Sequence, residues 1–227
     1  MTTYVLIPGG GGNAQYWQFV VPLLREHGHQ AVAVQLPNDP GVGLPEHADA
    51  IVAAASAADE IVVVAQSMGG FAAPLVCDRL PVSMLVLVNA MIGQPGETPG
   101  AWWDNTGQPA AKRANDVREG RDPDAEFDPV TMFFHDVPQS VREIVFAGPD
   151  EPPADSIFAS PLNIESWPDV PTRVVSGRDD RLFPLEFQRR VAHDRLGIAP
   201  DVLPGGHLIA FSHPAELAAQ LLAYRAD

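Results

Sequence analysis

The stretch Ile61-Val62-Val63-Val64-Ala65-Gln66-Ser67-Met68-Gly69-Gly70-Phe71 joins a run of β-branched residues directly to a serine and two glycines. A short run that is apolar throughout predicts a strand buried on both faces of a sheet. The glycines and the apolar residues after them predict the start of a helix. The serine therefore lies in a tight strand-to-helix turn that exposes its hydroxyl above the sheet, although a serine at this place could also be only a helix N-cap.

Short apolar runs and helical patterns alternate along most of the chain. The runs predict strands at residues 4–7, 31–35, 61–65, 84–88, 173–175 and 200–203. The helices predicted between and after them cover residues 16–26, 45–58, 68–79, 184–195 and 214–224. This alternation is typical of an α/β fold with a mainly parallel sheet, here of about six strands flanked by helices.

The alternation stops between residues 92 and 168. This segment is rich in proline, yet it also carries many large aromatic side chains that need a surface to bury against. A linker would not contain so many, so we interpret residues 92–168 as a small inserted cap. Residues 1–91 and 169–227 then form the α/β core.

Composition limits the classes of partner. The formal net charge is −15 and the isoelectric point is near 4.6, which disfavours binding to nucleic acid and to anionic membranes. The single cysteine, Cys77, can form no intramolecular disulfide. The N-terminal residues show neither a signal peptide nor a membrane-spanning run, so we expect a cytoplasmic protein. A small-molecule substrate is the expected partner, and a homodimer stays open.

Three strand ends carry the residue types of nucleophilic catalysis. A serine hydroxyl needs a base to remove its proton, and the base needs a third group to orient it. Ser67 follows one strand, Asp179 and Asp180 follow the strand at residues 173–175, and His207 follows the last one. The carboxyl ends of the strands are where open α/β sheets place their sites. The order serine, acid, histidine predicts a catalytic triad.

Acyl transfer also needs donors that stabilise an oxyanion. The backbone N–H of Met68, directly after the serine, is one candidate. The other comes from the glycine-rich loop at residues 8–13, where we assign the donor to Gly10 because glycines let the main chain approach a substrate closely.

The same loop, Gly9-Gly10-Gly11-Gly12-Asn13-Ala14, also satisfies the loose dinucleotide-binding pattern. That use would require an acidic residue at the end of the second strand, where the sequence has Gln35-Leu36-Pro37. No His-Glu-x-x-His or paired-cysteine motif is present. We therefore expect neither a cofactor nor a metal.

Several motifs together resemble the α/β-hydrolase superfamily, and within it the small methylesterase and hydroxynitrile lyase-like branch with its bacterial relatives. They are Pro8-Gly9-Gly10 with Tyr16-Trp17, Gln66-Ser67-Met68-Gly69-Gly70, Gly177-Arg178-Asp179-Asp180-Arg181 with Pro184, and Gly206-His207 with Pro214. The resemblance covers nearly the whole chain and implies the parent sheet without its first two strands. Its spacing favours Asp180 over Asp179 as the triad acid.

Two departures from that branch refine the expected activity. Pro8 replaces the histidine that usually begins the first loop. Leu208 stands where the lyases have a lysine, and Lys112 is the only lysine in the chain, so the resemblance implies an esterase. We expect a serine hydrolase that cleaves a small, mostly apolar ester or thioester through an acyl-enzyme intermediate. The alternatives are a C–C bond hydrolase or cofactor-free oxygenase with the same triad, or a weakly catalytic ligand receptor.

Overall fold

The computed structural model describes residues 1–55, 58–148 and 152–225. Within these ranges six strands form one sheet, in which every neighbouring pair is parallel and the order is β2-β1-β3-β4-β5-β6. The strands are β1 (Thr3–Ile7), β2 (Gln30–Ala33), β3 (Ile61–Gln66), β4 (Val82–Val88), β5 (Thr172–Gly177) and β6 (Asp201–Leu203). The predicted α/β fold with a mainly parallel sheet of about six strands is confirmed.

Helices cover both faces of the sheet. They are α1 (Val20–Glu26), α2 (Leu44–Ala55), α3 (Gly69–Ala72), α4 (Pro99–Thr106), α5 (Gln108–Arg118), α6 (Pro129–Phe133), α7 (Gln139–Phe146), α8 (Asp155–Phe158), α9 (Leu185–Leu196), α10 (Ile209–Ser212) and α11 (Pro214–Ala223). Alternate residues of β3 point to opposite faces: Val63 belongs to the apolar cluster that includes residues of α2 and α9, whereas Val64 belongs to the one that includes residues of α1 and α11. None of the helices in the described part of the chain is long and apolar enough to cross a bilayer.

Two predicted helices are shorter than expected. The helix predicted at 16–26 is a 3₁₀ turn, Ala14–Trp17, followed by α1. The helix predicted at 68–79 ends after one turn as α3 and continues as a 3₁₀ segment, Ala73–Val76. Pro74 explains this break, because it has no N–H for the next α-helical bond and its ring crowds the preceding turn. The predicted end of α2 falls partly on residues 56 and 57, which lie outside the described residues.

The segment between β4 and β5 contains α4 to α8 and is anchored to the core at its beginning. The Trp102 indole N–H donates to the carbonyl of Ile92 at 3.0 Å, and its ring packs against Phe183 and Phe187. Residues 149–151 of the predicted cap lie outside the described residues. The division into core and cap stays a prediction.

A buried ion pair strengthens this anchor. Both Glu97 oxygens accept from the Arg195 guanidinium on α9, at 2.5 and 2.9 Å, and the two side chains are only 5% and 8% exposed. Burial by itself would raise the pKa of Glu97. The hydrogen bonds from Arg195 and Asn105, the charge of Arg195 and the amide of Gln94 overcome this effect and hold the pKa below its usual value.

Glu97→Gln should lower the free energy of unfolding by about 3 kcal/mol at pH 7, because Arg195 is then buried without its counter-charge. The folded-state pKa of Glu97 lies below the unfolded value of about 4.3, so its contribution is present above that pH and is lost as the pH falls through the folded pKa. Urea unfolding should show the wild-type and variant midpoints converging in acid. Glu186→Gln, in the exposed pair with Arg189, is the matched control and should change little. Equal midpoints for wild type and Glu97→Gln at pH 7 would contradict the prediction.

Candidate active site

Ser67 lies in a strained turn between β3 and α3. Its φ is +51°, a left-handed value that non-glycine residues adopt at a cost. The surrounding main chain holds this conformation: Ser67 N donates to Val88 O at 3.3 Å, and Ser67 O accepts from Met91 N at 2.9 Å and Gly70 N at 3.1 Å. The side chain stays half-buried, with its hydroxyl facing a cavity.

The glycines after the serine are required by close main-chain contacts. A Cβ on Gly69 would lie 2.5 Å from Pro8 O, and one on Gly70 would lie 2.3 Å from Met91 O. The tight turn also leaves little room two residues before Ser67. Ala65 is fully buried in β3, so its single methyl is accommodated where the usual pattern has glycine.

The three predicted triad side chains meet in one hydrogen-bonded line. His207 Nε2 lies 3.0 Å from Ser67 Oγ, and His207 Nδ1 lies 2.8 Å from Asp180 Oδ2. Because the carboxylate accepts from Nδ1–H, Nε2 is left as the acceptor for the serine hydroxyl. The Asp180 and His207 side chains are both buried, so this pairing is shielded from water.

The two neighbouring aspartates have different surroundings. The second oxygen of Asp180, Oδ1, accepts from the amides of Leu182 and Phe183 at 2.8 and 2.9 Å, which fixes the carboxylate plane. Asp179 is exposed and accepts from the amide of Gly205 at 3.3 Å. The structure therefore places Asp180, and not Asp179, beside the imidazole.

The loop that carries His207 is held from several sides. The rings of Phe133 and Phe183 lie 5.4 and 5.1 Å from the imidazole, measured between centroids. The amide of Gly206 donates to Asp136 Oδ2 at 2.6 Å. Phe133 and Asp136 belong to the segment between β4 and β5, so this segment contacts both the imidazole and the main chain before it.

The two predicted oxyanion donors lie at the same cavity as Ser67. Gly10 and Met68 both line it, and within the described ranges the amide of neither residue is used in a hydrogen bond. A Cβ on Gly9 would lie 2.4 Å from Gln66 Oε1 and 2.8 Å from Ser67 Cβ. A glycine at position 9 thus lets the loop approach the serine. The oxyanion role of the two amides stays a prediction.

The cavity at Ser67 has a volume of about 560 Å³, within the range of small-molecule sites. Among the described residues that line it, none is an aspartate, glutamate, lysine or arginine. The neutral phenol of Tyr16 accepts from the amide of Ala210 at 3.4 Å, and burial raises its pKa well above the usual value. The aromatic lining residues are Tyr16, Trp103, Phe127, Phe133, Phe134, Phe158 and Phe211.

Cys77 is not part of this site. It packs in the core beside the sheet, where burial raises the pKa of its thiol to about 12. A protonated, buried thiol is a poor nucleophile. Cys77 is therefore a packing residue of the core.

Sequence reasoning missed two buried amide side chains. Gln66 Nε2 donates to His207 O at 3.3 Å, and Asn89 binds the same carbonyl from the end of β4. The available signal was a polar residue directly after an apolar strand. The same kind of signal predicted Ser67, and polar residues in the loops after two other strands predicted Asp180 and His207.

Comparison with known proteins settles the family. A model of the Alpha/beta hydrolase family matches residues 4–220. The chain belongs to the α/β-hydrolase family. This confirms the resemblance drawn from the motifs. No curated protein matches the sequence significantly.

Solved structures of other α/β-hydrolases are similar over nearly the whole chain. A pyrethroid hydrolase from Sphingobium faniae JZ-2 is 22% identical, with a TM-score of 0.76 over 98% of this chain and 96% of that one. Polyneuridine aldehyde esterase is 20% identical, with a TM-score of 0.78 over 99% of both chains. A methylesterase from Arabidopsis is 18% identical, with a TM-score of 0.76 over 100% of this chain and 99% of that one. At these identities the likeness shows a shared fold.

Proposed function

We propose that this α/β-hydrolase is a serine esterase that cleaves a small, mostly apolar ester or thioester through an acyl-enzyme intermediate. One observation carries the proposal: the hydrogen-bonded line from Ser67 through His207 to Asp180 opens on an uncharged cavity. The names of the similar structures, which include a pyrethroid hydrolase and two esterases, support ester bonds as the target.

The first half of the reaction forms the acyl-enzyme. As Ser67 Oγ attacks the substrate carbonyl, His207 Nε2 takes its proton, and Asp180 stabilises the resulting imidazolium. The negative charge on the carbonyl oxygen is stabilised by the amides of Met68 and Gly10. When the tetrahedral intermediate collapses, the bond to the alcohol or thiol breaks, and the leaving group takes the proton from His207.

The second half releases the acid. A water molecule gives one proton to His207 Nε2 as its oxygen attacks the acyl carbon. The bond to Ser67 Oγ then breaks and His207 returns the proton to the serine. Each group ends in its starting protonation state, so one ester and one water give one acid and one alcohol.

The cavity favours uncharged substrates. A charged substrate group would be transferred from water to a wall that offers aromatic rings and prolines and no charged side chain among the described residues. The net charge of −15 adds a weak, salt-dependent repulsion of anions. We therefore expect esters with neutral acyl and alcohol parts.

A fluorophosphonate probe and a panel of esters test the proposal together. The probe should add one phosphonyl group to the protein, located at Ser67 by peptide mass spectrometry. Neutral p-nitrophenyl and thiophenyl esters should be hydrolysed, and matched esters with a carboxylate on the acyl chain should have a kcat/KM at least about tenfold lower. A folded protein that leaves Ser67 unlabelled and the whole panel intact would refute the assignment and favour a ligand receptor.

A further inference from the structure

Asn89 has an unusual position for a polar residue. It directly follows β4, its side chain is fully buried, and its φ is +45°, the only positive φ besides that of Ser67 among the described non-glycine residues. A left-handed backbone costs free energy at a non-glycine residue, although asparagine tolerates it better than most. The surrounding structure must therefore hold Asn89 in place.

The Asn89 side chain makes three hydrogen bonds, and each reaches a loop that carries a triad residue. Oδ1 accepts from the amide of Gly177 at 2.6 Å. Nδ2 donates to the carbonyls of Gly206 at 3.0 Å and His207 at 3.1 Å. Gly177 ends β5, three residues before Asp180. One amide group thus joins the loop with the acid to the loop with the imidazole.

Close packing between these two loops leaves no room for a side chain at position 177. A Cβ on Gly177 would lie 2.6 Å from Gly205 O, 2.7 Å from Gly206 O and 3.2 Å from Asn89 Nδ2. The main chains of the two loops are close to each other, and the Asn89 side chain hydrogen-bonds to peptide groups of both. A buried peptide group that loses such a partner is left unsatisfied, which is unfavourable, so these hydrogen bonds stabilise the contact between the loops.

The carbonyl of His207 is held by a second side chain. Gln66 Nε2 donates to it at 3.3 Å, while Asn89 Nδ2 donates at 3.1 Å. Gln66 is the residue directly before Ser67. The backbone of His207 is therefore tied both to the turn that carries the serine and to the end of β4.

We propose that Asn89 is a positioning residue that fixes the distance between His207 and Asp180 and directs the imidazole to Ser67. The proposal rests on the proposed serine-hydrolase function. Asn89 contacts neither the substrate cavity nor the reacting atoms, and acts through the main chain of the two loops. A misplacement of about 1 Å at reacting groups can cost about 100-fold in rate, so the loss of this link has a kinetic effect.

Asn89→Gly is the main test, because glycine adopts the positive φ without strain and removes only the side chain. The kcat for p-nitrophenyl butyrate should fall about 10- to 100-fold, with KM changed less than about threefold. The rate of labelling of Ser67 by the fluorophosphonate should fall in parallel. Leu24→Ala is the control: it destabilises a buried site on α1 and should leave kcat unchanged.

Asn89→Asp tests the donors separately. The introduced carboxyl keeps an acceptor for the amide of Gly177 and the size of the side chain, but it places an oxygen against the carbonyls of Gly206 and His207. We expect its kcat to fall at least as far as that of Asn89→Gly. Thermal unfolding curves must show that both variants are folded at the assay temperature before their rates are compared.

A spectroscopic readout separates this proposal from the proposed function. The proton between His207 Nδ1 and Asp180 should give a low-field ¹H resonance in the wild type and in Leu24→Ala, and it should broaden or vanish in Asn89→Gly. If the wild type fails to label at Ser67, the serine-hydrolase function falls, while this resonance still decides the role of Asn89. A folded Asn89→Gly protein with a wild-type kcat and resonance would overturn the proposal.

Discussion

Ser67→Ala should lower kcat for p-nitrophenyl butyrate by about 10⁴- to 10⁶-fold and leave the fold intact. The substitution removes the proposed nucleophile, so we expect no acyl-enzyme to form and the remaining rate to come from binding and the proposed oxyanion donors. The variant should still bind the ester, since the cavity is unchanged. Steady-state kinetics, with circular dichroism to check the fold, provide the measurement.

Ser176→Ala is the matched control for that experiment. Ser176 lies in β5, near the carboxyl end of the same sheet, and its Oγ is buried with no hydrogen-bond partner in the described part of the chain. Removal of this hydroxyl should leave kcat within about twofold of the wild-type value. It should not destabilise the protein, because the substitution eliminates a buried polar group that has no hydrogen-bond partner in the described part of the chain. Similar activity in wild type and Ser67→Ala would show that another group is the nucleophile.

Asp180→Asn should lower kcat by about 10⁴-fold. Its Oδ1 can still accept from the amides of Leu182 and Phe183, so the loop geometry should survive. The amide would, however, present a donor or a weaker acceptor to His207 Nδ1, and the imidazole would lose the tautomer that accepts the Ser67 proton. Fluorophosphonate labelling should slow to a similar extent.

Asp179→Asn distinguishes the two neighbouring acids. Asp179 is exposed, and an asparagine oxygen can still accept from the amide of Gly205, so we expect kcat within a factor of about three of wild type. The opposite result, with a large loss for Asp179→Asn and a small one for Asp180→Asn, would reverse the assignment. That outcome would require the loop to rearrange in solution.

The strands and the serine turn could be predicted because their signals are local. A run such as residues 61–65 is apolar at every position, which is typical of a strand covered on both faces, and Gly69 and Gly70 mark the turn after it. Helix ends were harder to predict. The break at Pro74 depends on one missing N–H inside an otherwise helical pattern, which the periodicity of apolar residues does not reveal.

The side chains that support the loops of the site could not be predicted from the sequence, for a different reason. Asn89 makes hydrogen bonds to residues 88 and 118 positions away, and no local pattern encodes such a separation. Asp136 is similar, because it lies in a segment without clear periodicity and reaches the amide of Gly206 only in the folded chain. Proximity of the strand ends was predictable, but the groups that connect them were not.

The hydrogen bond from Gly206 to Asp136, with the ring of Phe133 against the imidazole, has a consequence for protein engineering. A designer who replaces the segment between β4 and β5 to change selectivity would also remove two contacts that support His207 and its loop. Chimeras of this kind should lose turnover even towards ligands that fit them. Chimeras that retain residues 133–136 should allow the substrate selectivity to be changed without loss of the catalytic rate.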